Sequence, residues 1–229
     1  MILRARSTAD EWMDDEAATE ADFRGGLRDL ERINRMTFAY RPVLRWLDAL
    51  VARTGATSLS VLDVGAGGGD GLRAIHRWAA RRNVAVSLTG LDRSPWAAAA
   101  ARDGGTPGEW ITEDLFALAP DRRFDAVVCS LFAHHLRDPD VVRFLRWLDA
   151  RATRGWLVSD LHRHAIPFGA VWAGVRLFRM HPMVISDSTI SIARGFSRAD
   201  LERLVAEAGV EAEVRWAVPF RWTVSRVRG

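Results

Sequence analysis

The sequence predicts an α/β fold in which helices cover both faces of a mostly parallel sheet. The first observation is that, after residue 55, short apolar runs alternate with runs of helical periodicity, as in folds where crossover helices join parallel strands. The second is that only Pro219-Phe220 separates the last two apolar runs. A connection this short cannot make a parallel crossover, so the last strand is expected to run antiparallel.

Seven strands and four helices follow from this alternation. The predicted strands are 60–64, 84–91, 110–112, 124–130, 155–160, 212–218 and 221–227. The predicted helices are 72–81, 95–102, 139–152 and 198–208. Residues 1–55 carry apolar positions three and four apart and are predicted to be helical, with Pro42 separating or opening the second helix. We therefore expect an N-terminal helical extension or cap at 1–55 and a second unit at 56–229, with an irregular cap insertion at about 163–195.

The composition is typical of a water-soluble globular chain, with 48% apolar and 27% charged residues. The net charge is only +3, and the basic residues, all of them Arg, alternate with acids instead of clustering, so no nucleic-acid partner is expected. The sequence shows neither a signal peptide nor an apolar stretch of membrane-spanning length, which favours a cytoplasmic protein. A monomer or homodimer is expected. The single cysteine, Cys129, lies in an apolar run and is expected in the core.

A glycine-rich segment joins the first strand of the sheet to the helix that follows. Five of the seven residues from 65 to 71 are glycine, so the backbone can turn tightly and approach a ligand closely. The helix N-terminus behind the segment leaves free N–H groups for an anionic ligand group. Glycines stand at 65, 67 and 69 after the acid Asp63, whereas a dinucleotide-binding Gly-x-Gly-x-x-Gly would need glycine in place of Asp70.

This segment resembles motif I of the class I S-adenosylmethionine (SAM)-dependent methyltransferases. Later segments are similar to the family in the same order: Leu88–Asp92 ends in an acid, Glu113-Asp114-Leu115 follows the third strand, and Phe124–Ser130 matches the fourth. The resemblance covers about residues 45–229. It implies a Rossmann-like, seven-stranded sheet, SAM as the cofactor and S-adenosylhomocysteine (SAH) as the product. His-His-Leu at 134–136 and the Asp-Pro-Asp that follows resemble the branch that contains ubiquinone- and menaquinone-biosynthesis methyltransferases.

The resemblance also implies where the cofactor is held. The glycine segment would face the amino-acid part of SAM, Asp92 would accept hydrogen bonds from both ribose hydroxyls, and Asp114 and Leu115 would lie at the adenine. Arg41, in the cap, is a candidate partner of the SAM carboxylate, although a surface ion pair is an equal alternative. The residues expected at the cofactor are Asp63, Gly65, Ala66, Gly67, Gly69, Asp92, Arg93, Asp114, Leu115, Ser130 and Arg41.

Histidines follow the fourth and fifth strands, where open α/β sheets bind ligands. A general base is required if the acceptor must lose a proton, and imidazole titrates in the suitable range. His134 and His162 are the first choices for this catalytic role. His135 is also a candidate but ranks third. In the family the second histidine of a His-His-Leu segment often packs structurally. The histidine spacing specifies no metal site, and none is expected.

The insertion suggests an apolar acceptor. Its large apolar residues are Phe168, Val171, Trp172, Val175, Leu177, Phe178, Met180 and Met183. If they line a pocket instead of forming core or a dimer surface, the acceptor is an apolar or aromatic small molecule, such as a phenol, quinone precursor or polyketide of secondary metabolism, methylated on oxygen or carbon. Two other functions stay open: a nicotinamide-dependent oxidoreductase and a non-catalytic SAM-binding protein.

Overall fold

The structure is a computed structural model that describes residues 3–15 and 17–228. Its sheet has seven strands: β1 Ser58–Val64, β2 Ala85–Asp92, β3 Glu109–Thr112, β4 Phe124–Ser130, β5 Ala152–Leu161, β6 Glu213–Ala217 and β7 Arg221–Val227. Their order across the sheet is β3-β2-β1-β4-β5-β7-β6. The first five strands pair in parallel, and β7 is antiparallel to both β5 and β6. The predicted fold class and the antiparallel last strand are confirmed.

Eight α-helices accompany the sheet within the described residues. They are α1 Glu20–Met36, α2 Arg41–Thr54, α3 Asp70–Arg82, α4 Ala97–Asp103, α5 Asp138–Arg151, α6 Ala165–Leu177, α7 Pro182–Arg194 and α8 Arg198–Ala208. Local signals set several ends: Pro42 lies in the first turn of α2, and Ser197 and Asp200 form a capping box at the start of α8. None of these helices combines the length and apolar character needed to cross a bilayer.

Two apolar layers hold helices on opposite faces of the sheet. Side chains along a strand alternate between faces, so Val61 of β1 packs with Leu47 of α2 and Ile75 of α3 in one layer. Leu62, the next residue, packs with Phe144 of α5 and others in the second layer, which also includes α8. Cys129 is buried in this second layer, as expected.

The N-terminal segment differs from the prediction. Residues 3–15 and 17–19 form an extended strap with one 3-10 turn at Trp12–Asp14, and the first α-helix begins only after Thr19, whose side chain and Asp22 form a capping box. The expectation of helix throughout this part was wrong, because the strap is held by tertiary contacts and not by helical ones. Its backbone bonds to α7 at Ser7 and at Trp12.

The irregular insertion forms two helices, α6 and α7, that pack against each other and close the site together with α1. Helix α2, in contrast, belongs to the layer on the sheet. The division of the chain into units at residue 55 and the assignment of about 163–195 as a cap remain predictions. Residues 1, 2, 16 and 229, which the predicted units include, lie outside the described part of the chain.

Candidate active site

A cavity of about 540 Å³ lies at the carboxyl ends of β1, β2, β4 and β5. This is the edge at which open α/β sheets bind ligands. Helices α1 and α7 and the strap close the cavity from above, since residues of all three line it. The volume falls in the range of small-molecule sites.

The glycine segment forms the floor of the cavity. Gly65, Gly67 and Gly69 all have φ between +51° and +75°, a conformation that glycine adopts without strain. A Cβ atom on Gly65 would lie 2.5 Å from the Phe132 ring, so the close approach also requires glycine there. Gly65 and Gly67, together with Ala66, line the cavity, whereas Gly69 caps the N-terminus of α3 and does not line it.

Two buried acids flank this segment. Burial raises the pKa of Asp63 to about 8, and the nearby charges of Asp70 and Asp92 act in the same direction. Asp92 ends β2 and accepts backbone N–H bonds from Gly67 and Ser94, both at 2.8 Å. Each of its carboxylate oxygens keeps a second lone pair that can accept a ligand hydroxyl. Burial also raises the pKa of Asp92 despite these bonds.

The other predicted cofactor residues reach the cavity by short loops. Asp114 lines it, and its Oδ1 accepts a bond from the Phe116 N–H, so this carboxylate also fixes its own turn. Leu115 lines the cavity as a buried side chain, and Arg93 lines it from the end of β2. Ser130, at the end of β4, has a buried hydroxyl with no partner among the described residues. An unpaired buried hydroxyl of this kind is a ready contact for a ligand.

His134 is a buried residue that forms a close pair with Asp160. Its Nδ1 lies 2.7 Å from Asp160 Oδ1, and its backbone N–H donates to the other carboxylate oxygen. Burial acts to raise the pKa of Asp160, but the interaction with the His134 ring and the hydrogen bonds that the carboxylate accepts lower it overall. The ionised carboxylate accepts from Nδ1–H, so Nε2 carries the free lone pair of the neutral ring. His134 is one of the residues that line the cavity.

His135 makes a similar pair with the strap. Its Nδ1 lies 2.6 Å from Asp14 Oδ2, and Arg93 donates to the other oxygen at 2.8 Å. Burial acts to raise the pKa of Asp14, but the bonds and charges of His135 and Arg93 lower it to about 2. The strap thus brings an ionised carboxylate to the second histidine.

Glu11, also on the strap, lies between the two imidazoles. Its carboxylate oxygens are 3.7 Å from His134 Nε2 and 3.8 Å from His135 Nε2. Ser191 donates to Oε2, while Oε1 has no partner among the described residues. Burial raises the pKa of Glu11 to about 7. The Glu11, His134 and His135 ligand atoms all lie within 4.8 Å of one another, so these three residues could hold a metal ion.

Two predicted site residues lie away from the cavity. His162 accepts a hydrogen bond from Trp222 Nε1 and packs edge-on against the Trp216 and Trp222 rings. Arg41 is exposed at the start of α2. Neither residue lines the cavity. His162 follows β5 and Arg41 begins α2, as the sequence predicts, but neither side chain reaches the cavity.

The structure adds residues that sequence reasoning missed. Glu11 and Asp14 were missed because the strap has no motif. Arg221, the first residue of β7, is buried and lines the cavity, where two of its nitrogens donate to Thr37 and Nε has no partner in the described chain. The signal for Arg221 was weak: it is an Arg at the tip of an apolar hairpin, next to the edge where ligands bind.

Comparisons with known proteins indicate the class of protein to which this fold belongs. Residues 61–154 match the family described as methyltransferase domain. No curated protein matches the sequence. At 13% identity, the plantazolicin methyltransferase BpumL, solved with a monoazolic desmethylPZN analog and SAH, has a TM-score of 0.64 over 91% of this chain and 96% of that one. Magnesium protoporphyrin IX methyltransferase (ChlM) from Synechocystis PCC 6803, solved with SAH, has a TM-score of 0.54 at 16% identity, over 95% and 91% of the chains.

A putative O-methyltransferase from Nostoc punctiforme PCC 73102 has a TM-score of 0.57 at 15% identity, over 87% of this chain and 59% of that one. At these identities, the likenesses show the fold. Residues 61–154, which include the glycine segment and β4, match a methyltransferase domain, so the protein is a SAM-dependent methyltransferase with SAM as its cofactor. The nicotinamide alternative is thereby set aside. The residues present fit SAM, because the glycines of the floor put no side chains of their own into the cavity, and Asp92 and Ser130 offer free hydrogen-bonding capacity.

Proposed function

We propose that this enzyme methylates an oxygen or carbon of an apolar or aromatic small molecule, with His134 as the general base. The observation that carries the proposal is the His134–Asp160 pair. The 2.7 Å contact uses Nδ1, so Nε2, which lies 3.7 Å from Glu11 Oε1, makes no hydrogen bond in a residue that lines the cavity. A phenol has a pKa near ~10 and must lose its proton for efficient transfer at neutral pH. His134 is the buried imidazole that can take it.

The residues of the chain have separate roles in the proposed methyl transfer. SAM supplies a methyl group bonded to a positively charged sulfur, and its transfer to the acceptor leaves SAH. The acceptor hydroxyl donates to His134 Nε2, and the proton moves to that nitrogen as the new O–C bond forms. Asp160 stabilises the resulting imidazolium. The strap and α7 exclude water and hold the acceptor in line, which is the larger part of catalysis for an already activated methyl group.

The cofactor contacts are part of the same proposal. Asp63 would receive the cofactor ammonium, Asp92 the ribose hydroxyls, and Asp114 and Leu115 the adenine. Arg221, buried and open to the cavity, is a better placed partner for a carboxylate than exposed Arg41. His135 would position the strap through Asp14.

An apolar acceptor is supported by the apolar residues that line the cavity. The apolar residues there include Leu161, Val171, Met183, Val184 and Ile192. The similar folds include methyltransferases of plantazolicin and of magnesium protoporphyrin IX, which are small molecules. We propose accordingly a role in secondary metabolism, in the cytoplasm, as a monomer or homodimer.

The test is a panel of phenols, hydroquinones and aromatic polyketides, with SAH release and the mass of the product as readouts. The expected product is an aryl methyl ether or a C-methylated ring. His134→Ala should lower turnover by about 100-fold or more, and Asp160→Asn by at least about 10-fold, with SAH affinity within about threefold of the unmodified protein. His76→Ala, a change on the exposed face of α3, is the matched control.

Three outcomes would reject the base assignment. Full turnover by His134→Ala would do so directly. Loss of turnover in His162→Ala alone would move the role to the fifth strand. Loss of turnover on dialysis against EDTA, with recovery on adding a divalent ion, would favour a metal held by Glu11, His134 and His135, which the sequence does not lead us to expect.

A further inference from the structure

Helix α6 presents an apolar face to solvent. Ile166, Ala170, Ala173 and Leu177 are spaced four, three and four apart, so they share one side of the helix, and all four are exposed. Ile166 and Leu177 are 60% and 76% exposed, and the adjacent Trp172 and Phe178 are about half exposed. The solvent side of a surface helix normally carries polar residues. We call Ile166, Ala170, Trp172, Ala173, Leu177 and Phe178 the α6 surface.

The opposite side of α6 is packed against the rest of the protein, so the exposed apolar face does not result from poor packing of the helix. Val175 is buried against Leu30 and Ile33 of α1, and Val171 packs in the same cluster and also lines the cavity. The helix is therefore held in place by one face while the second apolar face is left outward. A contiguous exposed apolar surface of this kind marks an interaction site.

The charges that the α6 segment itself carries are positive. No Asp or Glu occurs from position 161 to 186. Arg176 stacks on the Trp172 ring with its guanidinium 4.7 Å from the ring centre, and Arg179 is exposed two residues beyond the helix. Neither pairs with a carboxylate in the part of the chain that the structure describes. A second copy of this surface would offer no acid to either Arg, so a twofold contact is electrostatically unfavourable.

We propose that the α6 surface docks on an anionic lipid bilayer, with α6 lying in the plane of the headgroups. Apolar residues would enter the acyl boundary, Trp172 would lie at the headgroup level, and Arg176 and Arg179 would contact lipid phosphates. The 13-residue helix lies on the membrane and is too short to cross it. If the proposed function also holds, an apolar acceptor leaves the bilayer one helix away from the cavity that Val171 lines.

The test is co-sedimentation of the full chain with sucrose-loaded vesicles, without SAM or acceptor, so that its outcome is independent of the methylation proposal. Vesicles of phosphatidylglycerol and phosphatidylcholine in equal parts should bind the protein at least about 10-fold more tightly than pure phosphatidylcholine. Ile166→Gln/Leu177→Gln and Arg176→Gln/Arg179→Gln should each weaken the binding by about 10-fold or more.

The matched control is Arg77→Gln/Arg81→Gln, which removes the same charge from exposed positions on α3 and should leave binding within about twofold. All substituted side chains are exposed, and unchanged thermal melts verify folding. The proposal is overturned if the protein binds neither vesicle at millimolar lipid, or if the control weakens binding as much as the α6 variants. It is also overturned if sedimentation velocity shows a dimer that Ile166→Gln/Leu177→Gln dissociates and that does not bind vesicles.

Discussion

His134 and His162 show at the scale of the residue how neighbours decide chemistry. Both follow strands of the same sheet, yet one is paired with a buried carboxylate at the cavity and the other lies in an aromatic cluster. Burial lowers the pKa of His162, and Trp222 donates to its Nδ1. A ring whose lone pair is already used by an indole is poorly placed to take a proton from a substrate.

The raised pKa of Asp63 predicts how stability and SAH affinity depend on pH. Its pKa of about 8 lies far above the ordinary value of 3.8. Between these values the unfolded chain binds fewer protons than the folded one, so this residue makes the free protein less stable as pH rises through that window. A cofactor ammonium would favour the ionised carboxylate and so expel the proton. SAH affinity should therefore rise by up to about 10-fold per unit from pH 6 to 8, then level off.

Isothermal titration at pH 7, in two buffers of different ionisation enthalpy, measures this proton directly. The expected release is close to one proton per SAH bound. Asp63→Asn should bind SAH more weakly at pH 8 and without this release. Equal apparent enthalpies in the two buffers for the unmodified protein would contradict the assignment of Asp63 to the ammonium.

The glycine segment shows at the scale of the element why one loop serves both fold and ligand. Its three positive-φ glycines turn the chain from β1 into α3. Leu27 of α1 lies over the same loop, 3.2 Å from the position of a Cβ on Gly67. The loop thus packs against the cap on one side and opens to the cavity on the other, so an added side chain would disturb both.

Gly65→Ala tests this double constraint. The new methyl group would meet Phe132 at 2.5 Å, and the residue would have to hold φ at +70°. We expect the free energy of unfolding to fall by about 2–4 kcal/mol, from backbone strain and overpacking together, in urea titrations. SAH affinity should fall by at least about 10-fold, because Phe132 and the loop line the same cavity.

Gly105→Ala is the matched control for this change. Gly105 has φ of +67° but no heavy atom within 4 Å of the added Cβ. It should lose only about 1–2 kcal/mol of stability and keep its SAH affinity. If the two variants prove equally stable, the contact with Phe132 does not restrict position 65.

On the scale of the whole molecule, the strap joins parts that are far apart in sequence. Arg6 donates to the Asp138 carboxylate at 2.6 Å and to the backbone carbonyls of Leu136 and Arg194. Asp187 of α7 accepts the backbone N–H groups of residues 12 and 13 through both of its oxygens. These bonds place Glu11 and Asp14 at the histidines, so the site is complete only when the N-terminal segment is docked.

Arg6→Ala should release this segment. Loss of charged hydrogen bonds from a largely buried guanidinium is expected to lower the free energy of unfolding by about 2–3 kcal/mol. Amide exchange at residues 12 and 13 should accelerate, and turnover should fall more than SAH affinity, since the strap covers the histidines. Hydrogen–deuterium exchange with mass spectrometry and steady-state kinetics measure the two effects.

Arg4→Ala is the control, because Arg4 is exposed on the same segment. It should change neither stability nor exchange by a measurable amount. Identical exchange in the two variants would show that Arg6 does not anchor the strap.

Much of this architecture follows from local signals. The alternation of apolar runs gave all seven strands within a few residues, because strand and helix periodicities depend on neighbours in sequence. The capping residues at Ser197 and Gly209 marked the ends of α8 for the same reason. The strap was missed because its contacts are with residues distant in sequence, and a short polar segment shows no periodicity that reports them.

The sequence by itself determined the fold class and the cofactor. Strands and helices follow from patterns among neighbouring residues, and the glycine segment is recognised from its own residues and their spacing. Only the tertiary structure decided which side chains form the site. His134 and Arg221 line the cavity, whereas His162 and Arg41 do not, and α6 has one buried and one exposed apolar face. In each case the direction in which the side chain leaves the backbone makes the difference. That direction is fixed by packing between distant elements, which sequence spacing does not contain.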